Sequence, residues 1–155
     1  MSGDRITAMA GLEGSDAIAH RSDVLAMTEA ASAAVLRPKE VGAFSHEQRA
    51  ALAARIARLN GNDALAEHYG QGMSDKEVRL ADPSFDGGAD ERWRAILAFT
   101  DRVSASPKDV TADDIESLSK AGLAEPDIVR LTQLNAFLAY EIRLIEGLRL
   151  MGAGA

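Results

Sequence analysis

The chain of 155 residues contains no cysteine. That absence excludes disulfides, thiolate-held metals and a cysteine nucleophile together. Aromatic residues are sparse at 5%, and with alanine abundant the composition favours closely approaching helices over a sheet sandwich. Only four prolines occur, Pro38, Pro83, Pro107 and Pro126, each where a helical pattern starts or stops. Positive charge is not in excess: the net charge is −7 and arginines alternate with acids, which argues against a nucleic-acid partner. No run approaches the roughly 18 apolar residues of a membrane span. Residues 1–20 lack the continuous apolar core of a signal peptide, so a cytoplasmic protein without a membrane partner is the expectation.

Phosphate-binding glycine fingerprints are missing as well. Gly70-Gln71-Gly72 and Gly87-Gly88 follow no strand pattern, and no serine sits in an elbow motif. The three histidines, His20, His46 and His68, have no partner histidine three or four residues away. A metal would therefore need ligands assembled from distant segments. Neither metal nor cofactor is expected.

What is present is helical. No alternating strand pattern of useful length appears, and the predicted fold class is all-α, one domain over 15–152 with a weakly patterned arm at 1–14. Asp16 to Arg37 reads as one helix, ended by Pro38. Ser45-His46-Glu47-Gln48 has the capping-box form and starts a second helix at His46. Leu52, Ile56 and Leu59 supply its apolar stripe, flanked by Ala50, Ala53, Ala54 and Ala57, with Arg49, Arg55 and Arg58 off it. Asn60-Gly61 stops that helix, and Asn62 or Asp63 caps a short one to about Gln71. Met73 to Gly88 reads mainly as a connection, with a turn of helix around Asp75 to Leu80. Helices follow at Asp90–Ser104 and from Thr111 to Lys120. The last starts at Pro126 and runs to about Met151. It is apolar over more than one stripe, which suits a central helix or a subunit interface.

The segment from Leu59 to Tyr69 carries the best candidate chemistry. His68, beside Glu67 and Tyr69, has the side chain whose unperturbed pKa suits acid–base work near neutrality. The competing reading is a partly buried histidine bonded to a carbonyl or carboxylate. In the final helix, Asn135, Tyr140, Glu141 and Arg143 interrupt the apolar pattern. They either fix register in a helix interface or line a pocket, with Arg143 holding an acid. Arg49 also has two readings, a surface residue or the partner of an acid near His68.

Glu47 to Gly61, followed by Ala64-Leu65-Ala66-Glu67-His68-Tyr69, resembles the core of the carboxymuconolactone decarboxylase and alkylhydroperoxidase D (AhpD-like) superfamily. Trp93 to Phe99, Val110 to Ile115, Gly122-Leu123 and Phe137 to Gly147 follow in the order seen in its peroxidase-related members. The likeness covers about residues 15 to 152, and a cysteine-lacking subgroup is most similar. It implies an all-helical bundle of about six helices assembled as a dimer, trimer or hexamer. Mapped onto the Cys-x-x-Cys-x-x-x-His motif, Gly61 and Ala64 fall at the cysteine positions and His68 at the histidine. Arg49 stands near the position of the relatives' glutamate. With both sulfurs absent, thiol peroxide reduction has no nucleophile. The resemblance then implies a non-redox reaction or binding function for a small organic acid or lactone. His68, Tyr69 and Glu67 are the candidate catalytic group, and Arg49, Asn135 and Arg143 the ligand-binding group. The alternative is a non-catalytic oligomeric scaffold or a partner of a thiol-bearing paralogue.

Overall fold

One helix is buried on nearly every side. In a computed structural model, which describes residues 4–153, helix α4 (His46–Leu59) has Ala51, Leu52, Ala53, Ala54, Ile56 and Ala57 all buried. Its alanines present little more than backbone, so neighbouring helices close in on it. The predicted capping box forms: the Gln48 amide donates to Ser45 Oγ at 3.1 Å, and the Ser45 amide to Gln48 Oε1 at 3.0 Å. Gly61, at φ +69°, reverses the chain after Asn60. Asn62 Oδ1 then accepts from the Leu65 amide at 3.1 Å and opens α5 (Asp63–Gly70).

Helices α6 (Asp75–Ala81), α7 (Glu91–Ala105), α8 (Ala112–Lys120) and α9 (Glu125–Ala153) complete the C-terminal part, with a 3-10 turn at Pro107–Asp109. Asp90 caps α7 through the Trp93 amide, and Asp114 returns to the Thr111 amide at the start of α8. The turn before α7 requires glycine: Gly87 lies at φ +101°, and a Cβ there would meet the Arg94 amide nitrogen at 2.5 Å. Helix α9 packs against α4, α7 and α8 and buries Ile128, Leu131, Leu134, Phe137, Leu138, Ile142, Ile145 and Leu148. No strand occurs among the described residues, and all are helix, turn or loop. The fold is all-α.

The N-terminal third departs from the sequence reading. Part of the arm is helix α1 (Asp4–Ala10), docked on α9 through the buried Ile6. The single helix expected over Asp16–Arg37 is two, α2 (Asp16–Ala19) and α3 (Ser22–Leu36). The Arg21 amide bonds back to the Ile18 carbonyl at 2.8 Å, a tight turn that separates them. With α6 also a full element, the described chain has more helices than the six expected. Helix α3 lies against α9, tied by Thr28 Oγ1 and Tyr140 Oη at 2.8 Å. Its apolar residues are only partly covered: Leu25 and Leu36 are buried, whereas Met27 is 62% exposed.

Arg55 locks α4 to its surroundings. Its side chain is 1% exposed, and it meets Asp101 of α7 through two parallel bonds of 2.6 Å. The same guanidinium donates to the carbonyls of Leu80, Asp82 and Pro83, at 3.3, 2.6 and 3.2 Å. Every donor of the fork is satisfied, so the charge is buried with partners on all sides. Replacing Arg55 with Met leaves the carboxylate and three carbonyls short of donors. The expected cost is about 3 kcal/mol, at the low end for a broken buried pair; Asp101, 33% exposed, keeps some water. Urea unfolding should show the lower midpoint with an unchanged slope.

Candidate functional site

His68 projects from the last turn of α5 into a cavity of about 420 Å³. Arg5 of α1, Glu29 and Ser32 of α3, and Ala50 of α4 share its wall, with Tyr69 beside His68. The two rings of α5 meet edge to face, centroids 5.0 Å apart. Beneath them lies a carboxylate from α9. Glu141 is fully buried, accepts from Tyr69 Oη at 2.6 Å and pairs with Arg5 Nη2 at 2.5 Å. Arg5 Nη2 also reaches Glu29 Oε1 at 3.1 Å, while Arg5 Nη1 is buried with no hydrogen-bond partner. The Arg5 guanidinium carbon stands 5.8 Å from the centre of the Tyr69 ring.

These contacts set the protonation states. Burial, followed by the charge of Arg5, holds the His68 imidazole below the ordinary histidine value; Glu29 works in the other direction. The imidazole is therefore neutral at pH 7, and it makes no hydrogen bond to any described residue. Burial and the adjacent Glu141 charge push the Tyr69 phenol far above its usual value. Tyr69 keeps its proton and donates it to Glu141. It orients the cavity floor and does not exchange protons near neutrality.

The expected ligand-binding residues do not gather around His68. Arg49 is buried, and its guanidinium donates to the carbonyls of Phe44, Val35 and Val41 at 3.1, 3.1 and 2.7 Å. Those bonds clamp the loop between α3 and α4, and Arg49 is absent from the wall of the His68 cavity. Asn135 and Arg143 line a different cavity with Asn60 and Ser104. Glu67 is exposed and borders a surface groove with Arg58 and Asp63. Gly61 and Ala64, which the resemblance set at the two cysteine positions, are exposed and outside the His68 cavity wall. Of the six expected site residues, His68 and Tyr69 share this cavity.

Sequence reasoning passed over Arg5, Glu29, Ser32, Arg37 and His46, all in the wall. Arg5 sits in the weakly patterned arm, where no helical period marks a buried face. His46, bonded through Nε2 to the Pro38 carbonyl at 2.9 Å, reads as a first-turn residue. Glu141 did carry a signal, as an acid inside an apolar helix.

Among the described residues no three His, Asp or Glu side chains converge as a metal-ligand group, and no helix is long and apolar enough to cross a membrane. Compared with known protein families, with curated proteins and with solved structures, the chain finds no match.

The depressed histidine has a measurable consequence. In an NMR titration the His68 ring should change charge below the free-histidine value of about 6.5. Arg5→Gln should raise that midpoint by removing a like charge. Because the folded-state value is the lower one, the unfolded chain takes up the proton first as pH falls. The stability linked to neutral His68 is complete above about pH 6.5 and is lost as pH drops through the folded value. His68→Gln should flatten that part of the stability–pH curve.

Proposed function

We propose that the His68 cavity binds a small organic acid or lactone and acts on it without thiol chemistry. The chain would then be a cysteine-free relative of the AhpD-like helical proteins. The observation that carries the reading is a neutral imidazole without a hydrogen-bond partner among the described residues, facing a cavity that also holds Arg5 with an unpaired Nη1. A carboxylate or polarised lactone carbonyl offers the acceptor that Nη1 lacks. Neutral His68 takes a proton from the carbon next to that carbonyl, or from a water, as general base. Glu141 and Tyr69 hold Arg5 and the ring of His68 in register. A thiol-based peroxide cycle has no cysteine to run on.

The test is binding and turnover across a panel of short carboxylates and γ-lactones, followed by NMR. His68→Ala should lower turnover by about 10²–10⁴-fold, the usual loss of a general base, with binding little changed. Arg5→Gln should weaken binding itself. Binding and turnover indifferent to both substitutions would sink the assignment.

One observation favours the second reading, a non-catalytic scaffold or a partner of a thiol-bearing paralogue. Arg5 is already neutralised by two carboxylates, Glu141 and Glu29, as in a structural network. This reading predicts no turnover by wild type on any member of the panel.

Either reading goes with a homo-oligomer. Ala26, Met27, Ala30, Ala31, Ala33 and Ala34 make an exposed apolar run on α3. On α9, Val129, Tyr140, Leu150 and Met151 are exposed as well. Apolar surface of this extent suits closure by symmetric copies. Sedimentation equilibrium should give a mass above the monomer, and Met27→Glu should lower it. A monomer at all concentrations would refute the assembly.

A further inference from the structure

Asn135 of α9 is 2% exposed and lines a second cavity, about 450 Å³ in volume, that shares no wall residue with the His68 cavity. Its Nδ2 donates to the Leu131 carbonyl at 3.0 Å, whereas its Oδ1 is buried with no hydrogen-bond partner. A buried acceptor left unmet is costly, and one that lines a cavity is met by a water or by a donor on a ligand. A leucine of similar size would remove the cost at this position in an otherwise apolar stretch.

Arg143 lines the same cavity two turns further along α9. It is exposed, pairs with no carboxylate among the described residues, and touches only the Ala139 carbonyl, at 3.4 Å. The rest of the wall is mostly apolar, from Ala136, Ala139 and Ile142 of α9 with Val103 and Pro107, and Asn60, Ser104 and Thr132 add polar atoms to it. An acceptor at one end, a cation at the other and hydrocarbon between them define a ligand by complementarity.

We propose that this cavity binds a medium-chain carboxylic acid carrying a hydrogen-bond donor at its far end. The carboxylate meets the Arg143 guanidinium, the chain lies along Ala136 and Ala139, and the terminal hydroxyl donates to Asn135 Oδ1. Residues 135 and 143 are about 12 Å apart along the helix axis, the span of a chain of roughly ten carbons. The site is independent of the His68 reading, since no residue belongs to both.

Calorimetry on the intact chain with 10-hydroxydecanoate and decanoate, each below its micelle-forming concentration, tests the proposal. Wild type should bind the hydroxy acid about tenfold more tightly, the worth of one good hydrogen bond. Asn135→Leu should abolish that preference. Arg143→Gln, at an exposed position that leaves the core intact, should weaken both acids by about tenfold, and His68→Ala should change neither. Equal affinities in wild type would overturn the proposal, as would a preference that survives Asn135→Leu or affinities unmoved by Arg143→Gln. A cleft covered by a second copy of the chain would show no saturable binding of either acid, which also overturns it.

Discussion

The bidentate pair between Arg55 and Asp101 is the constraint on which the surrounding helices depend. A helix as small-sided and buried as α4 gains its stability from neighbours that approach closely, and close approach alone leaves register free. The Arg55 fork removes that freedom. It ties α4 to α7 through a carboxylate and to the end of α6 through three carbonyls. The carbonyls lie at a helix terminus, where backbone acceptors lack intrahelical donors. Arg49 does the same at the other end of α4 for the loop leaving α3. With both ends of α4 held, the turn at Asn60, Gly61 and Asn62 places α5 in a defined direction, and with it His68.

Geometry on α9 then decides which polar groups meet. Side chains advance about 100° per residue, so Arg143 lies about 200° around the helix from Glu141. Glu141 turns toward α1 and α5, where Arg5 and Tyr69 enclose it. Asn135 and Arg143 line a cavity shared with α4 and α7. The interruptions of the apolar helix thus face two spaces: Glu141 serves a buried network, and Asn135 and Arg143 share a cavity wall.

Much of the helical part was legible because local rules decide it. Ser45 with Gln48, Asn60-Gly61, Asn62, Asp90 and Thr111 with Asp114 mark ends that the structure reproduces within about a residue or two, the ordinary precision of helix boundaries. The arm was not legible, because α1 is short and depends on Ile6 docking to α9 and Arg5 pairing with Glu141, contacts across the whole chain. His68 and Tyr69 could be singled out because a histidine between a phenol and an acid is visible in the sequence without any tertiary contact. Arg49 was misplaced because an arginine off an apolar stripe reads as a surface or pocket residue. Nothing local indicates that the carbonyls of Val35 at the end of α3 and of Val41 and Phe44 in the following loop will surround it.

What the cavity can do follows from which charges are already answered. Glu141, fully buried, is met by Arg5 and Tyr69; the Tyr69 proton is fixed by Glu141 in return. None of these three is free to exchange protons without leaving a buried partner unmatched, which low-dielectric surroundings make costly. His68 is under no such obligation. It is half-buried, neutral and without a hydrogen-bond partner among the described residues. Under the proposed function, His68 is the proton acceptor of this cavity and the Arg5 network its support. A thiol cycle needs a second redox partner at fixed distance; a single imidazole needs only a substrate whose acidic proton reaches it.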